Sequence, residues 1–180
     1  TQDKFLDLVP ASIKLSNLES TLGNKTDQEL ILMKAIDSII EEYDFILFDC
    51  PPSLGIIIDN ALFAADSVLI PVECEYFAYD ALTQMVNKIN QVQMSKKAIK
   101  KSLTIEGVLL TKLDNRNLFG YKIIDKVKAL FPHRTFKTII SLSSHLQQAP
   151  LQGKSVLKTA YHSRASKQFR DLAQEILKEE

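Results

Sequence analysis

The sequence predicts an α/β fold built on a mainly parallel sheet with helices on both faces. Short continuous apolar runs alternate with segments of helical period, which is the pattern of a sheet covered on both sides. Strands separated by helices with short connections predict right-handed crossovers between parallel strands. No internal repeat or linker interrupts the alternation, so one domain over residues 1–180 is expected.

Each element has a local reason. FLDLV (5–9) reads as a short strand stopped by Pro10. Thr26 and Glu29 form a capping-box pair ahead of Leu30, Met33, Ile36, Ile39 and Ile40, which recur at helical spacing. DFILF (44–48) reads as a buried strand, Gly55 to Ala65 as a short apolar helix, and SVLIPV (67–72) as the next strand. Ala78, Leu82, Met85, Ile89 and Val92 make 78–94 a long amphipathic helix whose stripe faces the core. Lysines 96, 97, 100 and 101 read as a solvated connection into the strand IEGVLLT (105–111). A helix over 123–130, the strand FKTII (136–140) and a last helix from about Ser163 follow, the last carrying Phe169, Leu172, Ala173, Ile176 and Leu177 on one stripe.

Lys plus Arg and Asp plus Glu number 22 each, so overall charge points to neither nucleic acid nor membrane, and any such contact needs a local patch. No apolar run reaches the roughly 18 to 20 residues that span a bilayer, and a soluble, cytoplasmic protein with no membrane contact is expected. Cys50 and Cys74 lie in or beside apolar segments and match no metal-ligand spacing; free thiols of a reducing compartment are expected. His133, His145 and His162 are scattered and read as surface residues rather than metal ligands.

In parallel sheets ligands sit beyond the carboxyl ends of the strands, so function is sought there. The run at 44–48 ends in Asp49, the next in Pro71 to Glu75, and the one at 105–110 in TKLDNR (111–116). A carboxylate at a buried strand end costs desolvation unless it has a partner such as a magnesium-bound water. Pro51 and Pro52 donate no backbone hydrogen bonds and hold the chain extended, leaving Asp49 in the crevice. The alternative is an aspartate capping the helix that begins near Leu54.

The stretch YDFILFDCPPSLG (43–55), the following NALFAADSVLIPVECEYFAYDAL, and GVLLTKLDNRNLFG, FKTII and QAPLQGKSVL resemble the ParA/Soj family, relatives of MinD. The resemblance reaches back to LDLVPASIKLSNLE (6–19) and covers essentially the whole chain. It implies a P-loop NTPase fold of SIMIBI type and a partition protein of chromosomes or plasmids. It also implies an ATPase with ATP and Mg²⁺ as cofactors, a homodimer that binds nucleoid DNA without sequence preference, and a ParB-like regulator. Asp49 corresponds to the Walker B aspartate that holds a water on Mg²⁺. Thr111, Lys112 and Asp114 fall where the base-pocket wall is expected, with Asp114 capping the next helix as the alternative. Arg116 falls where the family often carries a DNA-contacting arginine, and Leu142 and His145 replace two arginines of another such segment, leaving His145 as a DNA-contact candidate. Lys154, Lys158, Arg164 and Lys167 form a basic patch or a solvated face.

The family's glycine-rich phosphate loop has no counterpart here. Such a cradle needs successive backbone N–H groups in a glycine-rich turn, and the five glycines are scattered. Gly153-Lys154-Ser155 has Gln148 where a P-loop needs its first glycine and reads as an ordinary loop with no helix opening after it. The chain therefore corresponds to roughly the last two-thirds of such a protein, without the P-loop strand that lies mid-sheet, and no complete catalytic set is expected in it. Loss of that strand exposes the edges of its neighbours. TKLD alone resembles the guanine-reading element of GTPases, but DCPPSLG does not resemble a GTPase DxxG loop, so adenine is expected. The other reading is a non-catalytic module that keeps the fold and pairs with a full-length relative.

Overall fold

The computed structural model describes residues 4–12, 15 and 26–178. They fall into two units, Thr1–Ala65 and Asp66–Glu180. Of LDLVPASIKLSNLE, residues 13, 14 and 16–19 lie outside the described residues.

The first unit is organised by helix α1 (Ile31–Ile36), entered through a 3₁₀ turn at Gln28–Leu30, and helix α2 (Ile56–Ala64). Asn60 of α2 is 6% exposed and fully engaged. Its Oδ1 accepts from the backbone N–H of Leu32 at 2.9 Å, and its Nδ2 donates to the carbonyls of Gln28 at 2.9 Å and Ile56 at 3.0 Å. This side chain takes over a free N–H at the start of α1. The expected Thr26–Glu29 capping box does not form: Asp27 holds the cap position in the left-handed region (φ 59°) without a side-chain cap. Neither does Asp49 cap α2, whose cap residue is Gly55.

The predicted strands 5–9 and 44–48 are extended or turn-like segments rather than strands. Phe45 is 48% and Leu47 89% exposed, so the run is not buried as its composition suggested. A strand exists only by its ladder, and among the described residues neither run takes part in a β-ladder or an isolated β-bridge. Tyr43, just ahead of the second run, donates from its Oη to Asp7 Oδ2 in the first at 2.9 Å.

The second unit carries the sheet. Strand β1 (Ser67–Glu73) pairs in parallel with β2 (Thr104–Thr111), from Ser67↔Thr104 to Glu73↔Thr111, with one irregularity between Val68 and Leu69. Helix α3 (Ala78–Ala98) makes the crossover, burying Leu82, Ile89 and Val92 as its stripe predicts. It runs through Lys96 and Lys97, where a solvated connection was expected. Lys96 is 1% exposed. Burial pulls its ammonium below the usual lysine range, against the opposing charge of Asp66. The helix ends beyond it, with Lys100 left-handed at φ 57° and the N–H of Lys101 returning to the Lys96 carbonyl at 2.9 Å.

The segment predicted as strand 136–140 follows β2 in parallel but makes only isolated bridges, Val108↔Thr135 and Leu113↔Ser141. The reason is Glu175 of helix α7 (Arg164–Ile176). Its carboxylate accepts from the backbone N–H groups of Lys137 and Thr138, both at 2.8 Å, taking the middle of the segment out of the ladder. Leu109, Phe136, Ile140 and Leu172 close the core here. Ser163 caps α7, accepting from Ser166 N at 3.2 Å. Of its predicted stripe Leu172 is buried, while Phe169 (38%) and Leu177 (57%) stay exposed.

Helix α4 (Leu118–Leu130) starts earlier than predicted, capped by Asn117, whose Oδ1 accepts from Phe119 N at 2.9 Å. After it come the short helices α5 (Ser144–Gln148) and α6 (Val156–Thr159). Gly153 (φ 59°) closes a 3₁₀ turn, and the single turn of α6 opens after Ser155, where no helix was expected.

Gly107 in β2 lies beneath Phe136: a Cβ there would stand 2.5 Å from ring atom Cε2. Because Phe136 is 4% exposed, Gly107→Ala is expected to lower stability by about 1–3 kcal/mol. Chemical denaturation measures this, and an unchanged midpoint would mean that the ring shifts freely.

Candidate functional site

The parallel register brings the ends of β1 and β2 side by side. Thr111 closes β2; its Oγ1 donates to the Val72 carbonyl at 3.3 Å, and its own carbonyl accepts from Cys74 N at 3.0 Å. Lys112 then turns into the left-handed region (φ 52°), where non-glycine residues are uncommon. Its ammonium pairs with the Glu73 carboxylate, which raises the lysine pKa.

Asp114 and Arg116 form the next layer. Asp114 Oδ1 accepts from both the backbone N–H and Nε of Arg116, each at 3.0 Å, and Oδ2 accepts from Nη2 at 2.9 Å. The guanidinium beside it, helped by the backbone N–H, holds the Asp114 carboxyl down to about 2. Asp114 therefore fixes its own turn and does not cap α4, which is Asn117's task. The Arg116 side chain is 89% exposed, so its far edge faces water.

Aromatic rings crowd the same unit. Tyr76 stacks on Phe119 with centroids 5.9 Å apart and meets Phe77 edge-on at 5.1 Å. Cys74 is buried, and burial pushes its thiol up to about 11, so it is a core thiol and not a nucleophile.

His145 sits on α5, apart from TKLDNR in sequence. It lines a cavity of about 220 Å³ with Ser143, Ser163, Arg164 and Gln168. Asp49 belongs to the first unit, at the end of the extended 44–48 segment, and is exposed. Among the described residues no hydrogen bond or ion pair engages it. No cluster of three or more His, Cys, Asp or Glu side chains among them could hold a metal ion. A single exposed carboxylate fits contact with a water of the ion, not a full ligand set.

Thus Thr111, Lys112, Asp114 and Arg116 stand together, while His145 and Asp49 stand on other elements. Glu73 was not singled out from sequence. Its place was set by the register, in which the irregularity between Val68 and Leu69 brings Glu73 opposite Thr111 at the common end of the two strands.

A parallel α/β sheet of this kind takes its ligands beyond the carboxyl ends of the strands, where these polar turns lie, and the family described as AAA domain matches residues 1–105. The chain belongs to the ParA/Soj family. It is 42% identical over 171 residues to the sporulation initiation inhibitor protein Soj of Bacillus subtilis, covering 95% of this chain and 66% of that protein. Against the chromosome partitioning protein ParA of Myxococcus xanthus it is 35% identical over 178 residues, 99% of this chain and 62% of that one. The chain thus spans slightly less than two-thirds of each relative's length. The structure of a plasmid partition protein from Borrelia burgdorferi bound to AMPPNP, an ATP analogue, superposes with a TM-score of 0.80 at 20% identity, covering 99% of this chain and 66% of that one, a likeness of fold. Among the described residues no helix is long and apolar enough to cross a membrane.

The Asp114–Arg116 pair makes a prediction. The folded pKa of Asp114 is depressed, so the pair contributes above the ordinary carboxylate range and is lost as pH falls toward about 2. In Arg116→Ala, the carboxyl carbon followed by NMR should titrate upward, back toward that range; an unmoved titration would deny the pairing.

Proposed function

We propose that these residues are the greater part of a ParA/Soj-type partition ATPase domain for chromosomes or plasmids, acting as a Mg-ATP-dependent dimer in the cytoplasm on the nucleoid. The observation carrying this reading is the 42% identity to Soj along 95% of the chain. Asp49 serves as the Walker B-like carboxylate, holding a water of Mg²⁺; the ion supplies charge neutralisation at the phosphates. Thr111, Lys112 and Asp114 wall the base. The exposed edge of Arg116, together with His145, contacts DNA phosphates without sequence preference. A ParB-like protein regulates the cycle.

The scattered glycines offer no phosphate cradle, so hydrolysis belongs to a protein that has one in addition to these residues. That same lack favours the second reading, a non-catalytic module that pairs with a full-length relative.

The test is a gel shift with duplex DNA of arbitrary sequence. Binding is expected at low salt and should weaken about tenfold or more between 50 and 200 mM salt, as counterion release requires. Arg116→Ala or His145→Ala should reduce it. A wild-type shift that neither substitution changes would remove these residues from the DNA surface, and no shift at any salt would favour the module.

A further inference from the structure

Resting on the base-wall reading above, we propose that Arg116 sets the base preference of the TKLDNR turn, excluding guanine by keeping the Asp114 carboxylate closed.

A carboxylate reads guanine by accepting two hydrogen bonds side by side, from ring N1–H and the exocyclic amino group. It must present both oxygens along one edge. In this chain that edge is taken. Oδ1 receives Arg116 Nε at 3.0 Å and Oδ2 receives Nη2 at 2.9 Å, the two-pronged match between guanidinium and carboxylate. The Arg116 backbone N–H adds a third bond to Oδ1 at 3.0 Å.

The lock is local. Donor and acceptor are two residues apart, and the turn that joins them is pinned by Asn117 N donating to the Asp114 carbonyl at 3.0 Å. Asn117 in turn caps α4. No other element has to move for the pair to form. Adenine carries an acceptor at N1 where guanine carries N1–H, so it can offer a carboxylate only its N6 amino donor and loses less than guanine when the carboxylate is closed. The motif thus keeps the residues of a guanine reader while the following arginine occupies the reading edge.

The test compares GMP and AMP binding to the 180-residue chain by amide NMR shifts of residues 111–117, in the wild type, Arg116→Ala and Arg116→Ala with Asp114→Asn. The readout is the ratio of the two affinities, because the lost positive charge weakens both nucleotides alike. Wild type should favour AMP. Arg116→Ala should raise the GMP-to-AMP ratio about fivefold, the scale of releasing an exposed ion pair, and the added Asp114→Asn should abolish the gain. An unchanged ratio in Arg116→Ala, with AMP still shifting these amides, overturns the role of Arg116 alone. A gain that survives Asp114→Asn also overturns it. If neither nucleotide shifts residues 111–117 in any of the proteins, the base-wall reading falls and this inference with it.

Discussion

The parallel ladder between β1 and β2 is the constraint on which the second unit depends. Its register, from Ser67↔Thr104 to Glu73↔Thr111, ends both strands at the same level. Everything polar at that end follows. Glu73 can reach Lys112 because their strands finish together, and Lys112 turns left-handed after a Thr111 tied twice to the end of β1, through its hydroxyl to Val72 and through its carbonyl to Cys74. A slip of one residue would exchange the two faces of β1. It would drive Ile70 and Val72, 5% and 4% exposed, into water, and would part the acid from the lysine. Burial of the apolar side chains thus fixes the chemistry of the strand end.

A second constraint acts from the side. Glu175 takes two backbone donors of the segment after α4, while Gln168, two turns earlier on the same face of α7, accepts from Ser141 N at 3.2 Å and donates to Ser141 Oγ at 3.1 Å. Side chains of a helix therefore do what a neighbouring strand would do in a regular ladder. The backbone groups stay satisfied, as buried ones must, and α7 is registered against the sheet by polar contacts as well as by Leu172.

Sequence reading succeeded where the signal was periodic and self-contained. The apolar run of β1, the stripe Leu82–Ile89–Val92 of α3 and the serine ahead of α7 each carry their own reason for folding. It failed where a distant residue decides. The apolar content of 44–48 says that the segment can be a strand, not that a partner lies beside it, and Leu47 is left 89% exposed. Thr26 and Glu29 have capping-box spacing, but Asn60 supplies the acceptor from another helix. Lys96 looked solvated because it stands among lysines, although its helical position turns it inward. At the candidate site, TKLDNR was legible from its place after a strand. The closing of Asp114 was not, because acid and arginine two residues apart meet only when the turn between them is tight.

Three acids at strand or strand-like ends have different fates. Glu73 is neutralised by Lys112 and Asp114 by Arg116, so neither offers uncompensated charge to a ligand. Asp49 is different: it is exposed, and no described residue engages its carboxylate. The two prolines behind it explain why, since Pro51 and Pro52 have no N–H to donate back to it and keep the following chain from curling into a cap. An anionic group kept free in this way has its charge available for something brought to it from outside, which is what the proposed contact with a magnesium-bound water requires. The paired acids, in contrast, shape the turn that would meet a base, where a fixed edge matters more than free charge. The division of labour among otherwise similar carboxylates thus comes from what the next few residues can donate: prolines after Asp49, an arginine after Asp114, and across the ladder a lysine for Glu73.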